Sequence, residues 1–183
     1  MIYLVQGPPG AGKSCICRYL SKIIGCVYYS KDDIKELLFD SLGTKDLAWS
    51  KQLAIAANDI LFSLMHNSLL ASQNIVIETN ISLERDLENA KTTFSDKSSE
   101  LIEIYLTAKK DTLIERIIER WESGNRHPGH ADKMRIKEIE TYIDRQISTP
   151  INLGHRVIEV DTSSIDIIEA QNLITRELNL AST

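Results

Sequence analysis

The eight residues Gly7-Pro8-Pro9-Gly10-Ala11-Gly12-Lys13-Ser14 limit what this chain can fold into more than any other feature. They match G-x-x-x-x-G-K-[ST] at every position, and that pattern requires a strand before it and a helix after it. Both neighbours are legible. Ile2-Tyr3-Leu4-Val5 is a short apolar run ending in breakers, which reads as a buried strand. Past Lys13, the residues Ile16, Tyr19, Leu20 and Ile23 recur at helical spacing until Gly25 closes the helix. In that setting glycines let the backbone fold back, so that several N–H groups point inward at a helix N-terminus and form a nest for phosphate oxygens. Lys13 is placed to reach the β- and γ-phosphates of a nucleoside triphosphate, and Ser14 to put its hydroxyl on Mg²⁺. Gly7, Pro8, Pro9, Gly10, Ala11, Gly12, Lys13, Ser14 and the adjoining Cys15 are thus the expected contacts of ATP.

Similar apolar runs recur at Val27-Tyr28-Tyr29, Ile75-Val76-Ile77, Leu101 to Leu106 and Val157-Ile158-Glu159-Val160, each followed by a helix-competent stretch. This alternation predicts a three-layer α/β fold, with a parallel sheet of five strands and helices on both faces. Asp46 to Ser72, and the pattern Leu113, Ile114, Ile117, Ile118, Trp121, are amphipathic and should each pack one face on the core. A length of 183 residues fits a single domain over residues 1–183. Ser123 to Asp132 has no periodicity and contains Gly124, Pro128 and Gly129, so it reads as a loop. A polar, basic loop late in such a domain is expected to act as a lid, over about residues 116–137.

Composition narrows the partners. The net charge of -5 gives no global attraction to nucleic acid, so such a role would need a local basic patch. The stretch from Arg116 to Lys137, with six Lys/Arg against three Asp/Glu, is the candidate. No uninterrupted apolar run approaches the ~18–20 residues that span a bilayer, and no leader precedes the motif, so a cytosolic protein without a membrane partner is expected. Cys15, Cys17 and Cys26 show neither a CxxC pair nor metal-type spacing, and core packing is expected for most of them.

Ligands of an open α/β sheet lie beyond the carboxyl ends of its strands. After the second strand comes Ser30-Lys31-Asp32-Asp33-Ile34-Lys35. Asp32 is the candidate general base, or the ligand of a substrate hydroxyl, while Asp33 stands at capping-box spacing from Ser30 and reads as structural. Lys35, one turn on, either meets a substrate phosphate or is solvated. After the third strand, Glu78 is expected to hold Mg²⁺ through its water shell or to touch substrate, against a turn-forming role, and Asn80 either meets substrate or caps a turn. Asp161-Thr162-Ser163-Ser164 has two readings, a lining of the base pocket and an ordinary helix N-cap, with the N-cap favoured. Arg116 and Arg120 share one helical face and Arg126 follows in the loop. All three are candidates for neutralising the charge that spreads over a γ-phosphoryl group in transfer, against a solvated face paired with Glu115, Glu119 and Glu122. His127 and His130 fit lid hydrogen bonding better than metal ligation, and Trp121 fits packing better than base stacking.

Taken together, Gly7–Ser14, Ser30–Lys35, Glu78-Thr79-Asn80, the Arg116/Arg120 helix and Arg126-His127-Pro128-Gly129-His130 resemble a group of small P-loop kinases. That group includes polynucleotide 5′-hydroxyl kinase, chloramphenicol phosphotransferase and AAA-type ATP-binding proteins of bacteria, and the resemblance covers nearly the whole chain. It implies a sheet of order 2-3-1-4-5, Asp32 as catalytic acid, and Arg116 and Arg120 at the nucleotide. Two positions depart from the polynucleotide kinases. Lys35 stands where they have an arginine for a substrate phosphate, and an ammonium is no bidentate fork; Glu78 stands where they have Asp. The expected activity is transfer of the ATP γ-phosphoryl group to a hydroxyl of a small molecule. The alternatives are a polynucleotide 5′-hydroxyl kinase and a non-kinase nucleotide-dependent regulator, the latter without the Asn-Lys-x-Asp motif that reads guanine.

Overall fold

Successive side chains of Ile2-Tyr3-Leu4-Val5 point to opposite faces, and all four are apolar, so the strand needs cover on both sides. The computed structural model, which describes residues 1–124, 127–130, 140–141, 143–144 and 150–180, provides that cover. Ile2–Gln6 is β1, followed by α1 (Lys13–Ile24), β2 (Val27–Ser30), α2 (Lys31–Leu42) and α3 (Leu47–Leu70). Next come β3 (Ile75–Glu78), α4 (Glu84–Phe94), β4 (Leu101–Thr107), α5 (Lys110–Glu122), β5 (Arg156–Asp161) and α6 (Ile167–Glu177). The five strands form one parallel sheet in the order β2-β3-β1-β4-β5, as expected.

Tyr3 and Val5 face a core completed by Ile16 and Leu20 of α1, Leu113 and Ile117 of α5, and Ala170 and Ile174 of α6. Ile2 and Leu4 face a second core with Leu61, Met65 and Leu69 of α3 and Ala90 and Phe94 of α4. By length and composition α3 passes for a membrane span, but Leu53, Ala57, Leu61, Phe62, Met65 and Leu69 are buried within the protein, between sheet, α2 and α4. Cys17 lies in the first core, half-buried Cys26 packs on it, and Cys15 is exposed.

The topology fixes where a ligand sits. From β1 the chain turns to β2 and β3 on one side, and only then crosses to β4 and β5 on the other. The carboxyl end of β1 is therefore the switch point, where the crossovers diverge and leave a crevice. Residues 7–12 fill that crevice and lead into α1, with Gly12 in left-handed backbone as its N-cap.

Candidate active site

Lys13 curls back into its own loop, where its Nζ donates to the carbonyls of Gly7 and Pro8, both at 2.9 Å. Burial pulls its pKa down, Glu78 and Asp32 nearby work against that, and Arg120 adds to it. The ammonium thus sits among two carboxylates and a guanidinium. Phosphate oxygens offer it stronger, charged acceptors than the two carbonyls.

Beside the lysine, Ser14 Oγ donates to Glu78 Oε1 at 3.0 Å, and Tyr28 OH donates to Glu78 Oε2 at 2.6 Å. Tyr28 was not a candidate from sequence, where it reads as an ordinary strand residue. It pairs with Val76 across the ladder, so its ring reaches the diagonal neighbour Glu78. Burial, and then the Glu78 carboxylate, hold its phenol far above the ordinary range, so it stays a donor. A hydroxyl next to one carboxylate suits Mg²⁺, which keeps several waters and takes few protein ligands. Bound with ATP, Mg²⁺ supplies neutralisation of the charge on the phosphate oxygens. Tyr28→Phe removes the bond that orients Glu78, and is expected to raise the Mg²⁺ concentration needed for half-maximal turnover about tenfold. Metal-free ADP binding should stay at the parental value; a Mg²⁺ titration of ADP release checks both.

On the acceptor side, Ser30 Oγ accepts from the N–H groups of Asp32 (3.1 Å) and Asp33 (3.3 Å) and so caps α2. Burial, followed by the charges of Glu78 and Glu36, raises the pKa of the Asp33 carboxyl, and Arg18 works against that. Burial lowers the pKa of Lys31, and the charges of Asp32 and Asp86 work against that. Thr79 Oγ1 donates to Asn58 Oδ1 at 2.8 Å, and Asn58 Nδ2 to Asp86 Oδ2 at 2.7 Å, a buried polar chain under the carboxyl end of β3. Lys35 is only 6% exposed: its Nζ donates to Ser50 Oγ at 2.9 Å and lies 5.2 Å from the Phe39 ring centroid. Packing of α2 on α3 removes it from the solvated alternative.

Residues 127–130 dock on the same helix. His130 Nε2 is 2.8 Å from Glu36 Oε1, and His127 Nε2 is 3.2 Å from Asp40 Oδ1. Because His127 Nδ1 accepts the Gly129 N–H at 3.0 Å, the proton facing Asp40 is on Nε2. Gly129 lies so close to Phe39 that a Cβ would come 2.4 Å from its ring. The expected hydrogen bonding by both histidines is thereby met. Arg126 and residues 131–137 of the expected lid lie outside the described residues.

On the opposite flank, Arg116 donates to the Gly10 carbonyl (3.2 Å), Thr162 Oγ1 (3.0 Å) and the Thr162 carbonyl (2.8 Å). These groups wall a groove of about 210 Å³ that runs from Gly12 and Cys15 to Ile165 and Ile167, with a predominantly apolar lining. The favoured N-cap reading of Asp161–Ser164 is corrected here. Asp166 caps α6 in a capping box with Glu169, while Thr162 is occupied by Arg116 and by the Thr107 carbonyl, 3.0 Å away. Arg120, one turn beyond Arg116, does not line the groove; its charge helps to lower the pKa of Lys13. Trp121 packs against the first core. Asn80 Oδ1 accepts the Gly7 N–H at 3.0 Å, which ties the turn after β3 to the start of the phosphate loop.

A phosphate-cradling loop at the switch point of a five-stranded parallel sheet defines the P-loop class of nucleotide-binding proteins. Within that class the chain belongs to the AAA_18 family of AAA domains, whose model matches residues 4–142. It is 30% identical over 135 residues to a cytidylate kinase of Sulfurisphaera tokodaii, covering 69% of this chain and 74% of that protein. A solved structure of a candidate kinase from Chloroflexus aurantiacus superposes with a TM-score of 0.83 at 29% identity, over 96% of each chain. A gluconokinase of Sinorhizobium meliloti shares the fold, with a TM-score of 0.62 at 14% identity over 97% of this chain and 90% of that one. The chain is a small P-loop kinase that uses ATP with Mg²⁺.

Proposed function

We propose that the protein transfers the γ-phosphoryl group of ATP to a hydroxyl of a small molecule, with Asp32 as the base that takes the hydroxyl proton. The observation that carries this reading is the place of Asp32: in the first turn of α2, its charge acting on the Lys13 ammonium that is to hold the phosphates. A hydroxyl must give up a proton as it attacks, and a carboxylate beside the transferred group serves that end. A phosphate acceptor is already ionised and instead needs cations to hold it. On this side Lys35 is bonded to Ser50 beside Phe39 and Arg85 to Asp59, which leaves Lys31 and Arg18, each in the field of nearby carboxylates, as the described cations that a phosphate acceptor would have to recruit. In the proposed reaction Lys13 and the loop N–H groups hold the phosphates, Ser14 and Glu78 hold Mg²⁺, and Asn80 keeps the loop in place. Arg120 neutralises developing charge, Arg116 holds the nucleotide, and Arg126 is proposed to join Arg120.

A second reading, a nucleotide phosphate as acceptor, is favoured by the relative that acts on cytidylate. One experiment separates the two. ADP release and transfer of labelled phosphate are followed with nucleosides, sugars, antibiotics, 5′-hydroxyl oligonucleotides and cytidylate. Label recovered in a hydroxyl compound is the expected result; label in cytidylate alone would overturn the hydroxyl reading.

A further inference from the structure

Gln6 closes β1 and is 3% exposed, so its amide must find partners inside the protein. Its Nε2 donates to Glu103 Oε1 at 2.7 Å, and its Oε1 accepts the Ile81 N–H at 2.6 Å. Glu103 stands on β4 opposite Leu4 of β1, among residues that face the α3 and α4 side, and is wholly shielded from solvent. The carboxylate also accepts the Ile151 N–H at 3.3 Å and His155 Nε2 at 2.8 Å. His155 is equally buried, and its Nδ1 has no partner among the described residues. A buried carboxylate and an orphaned ring nitrogen both cost stability, and apolar residues of the same volume would fill this space more cheaply.

What the arrangement secures is visible at its far end. Gln6 bonds Ile81 through its side chain, and the next residue, Gly7, bonds Asn80 through its backbone. Two consecutive residues of one segment thus clasp two consecutive residues of the other. The β1–β3 ladder stops at Val5 and Glu78, so this clasp continues the pairing beyond the last ladder rung. On one side of it the phosphate loop begins; on the other, Glu78 has just met Ser14.

We propose that Glu103 is a positioning residue for nucleotide binding: anchored by His155 and Ile151, it fixes Gln6, and Gln6 fixes the clasp that sets the phosphate loop against Glu78. The test reads nucleotide affinity alone, so its failure is distinct from a failure of the acceptor proposed above. Calorimetric binding of ADP with Mg²⁺ is compared, alongside Tm, in the parent and in Gln6→Met/Glu103→Leu/His155→Leu. The triple variant relieves the buried carboxylate and the orphaned ring nitrogen but leaves the Ile81 and Ile151 N–H groups without their acceptors, so it should fold with a Tm lowered by a few degrees at most, and should bind ADP about tenfold more weakly. Unchanged affinity would show a purely structural role and overturn the proposal. Asn80→Ala, at the surface end of the clasp, is expected to fold normally and to lose about the same factor. Combining it with the triple variant should cost about tenfold in total, not a hundredfold, because both break one clasp. Additive losses, or an Asn80→Ala protein of parental affinity, would equally overturn it. Glu103→Gln keeps an acceptor for Gln6 and Ile151, and its amide donates to His155 Nε2 once the ring proton sits on Nδ1, so this variant is expected to bind ADP within about twofold of the parent.

Discussion

Asp32→Asn is expected to lower acceptor phosphorylation about 10²–10⁴-fold while ADP affinity at neutral pH changes by no more than about threefold. The amide fits the same first turn, since the cap of α2 is the Ser30 hydroxyl and not the Asp32 side chain. What disappears is the acceptor for the hydroxyl proton. A second effect follows from the charge of Asp32, which raises the pKa of Lys13 against burial. Without it the ammonium releases its proton at lower pH, so phosphate affinity should begin to fall at lower pH than in the parent as the solution is made alkaline. Single-turnover labelling gives the first quantity and calorimetry across pH the second. If labelling proceeds at the parental rate, the base is another group, and Asp33 is next to be changed, because it is the adjacent carboxyl and its pKa is raised by burial and by Glu78 and Glu36.

Much of the fold was legible because its signals are local. Strands covered on both faces announce themselves as apolar runs, and the octet Gly7–Ser14 names both the element before it and the element after it. Sheet order is another matter: nothing within a strand says on which side of its predecessor it will lie, and only the family resemblance gave 2-3-1-4-5. The site divides in the same way. Lys13, Ser14, Glu78 and Asp32 follow breakers at strand ends, and the structure brings them together around one ammonium. Tyr28 and Gln6 were missed because their partners lie 50 and 97 residues away. A signal existed for Gln6, a polar residue ending an otherwise apolar strand, and for Asn58, an amide inside an apolar helix. Neither says what it will bond. Lys35 shows how tertiary packing decides: its sequence position allowed a phosphate contact or a solvated face, and the seam between α2 and α3 made it a buried donor to Ser50. Thr162 was drawn away from capping for a similar reason, because Arg116 reaches it from a helix 46 residues earlier.

Gly7→Ala should abolish measurable ADP binding and lower Tm by about 10 °C. Gly7 has φ +138°, a conformation that L side chains rarely adopt, and residues forced into such regions cost about 1–3 kcal/mol. The close approach adds more. A Cβ on Gly7 would stand 2.1 Å from the Leu106 carbonyl oxygen and 3.0 Å from its carbon. Leu106 belongs to β4, bonded in register between β1 and β5, so the obstacle is a central strand and not a side chain that can swing away. The loop must yield instead. Any displacement of Gly7 pulls its N–H from Asn80 Oδ1 and its carbonyl from Lys13 Nζ, and these bonds set where the cradle opens. Strain and lost contacts together come to about 3–4 kcal/mol, and in a domain of this size about 2–4 °C of Tm accompanies each kcal/mol. Gly25→Ala is the matched control: its φ is +71° and nothing lies within 4 Å of a Cβ there, so it carries backbone strain at the end of α1 without touching the loop. It should lose a smaller amount of Tm and bind ADP as the parent does. Equal losses of affinity in the two variants would mean that global destabilisation, and not the approach of Gly7 to Leu106, governs nucleotide binding.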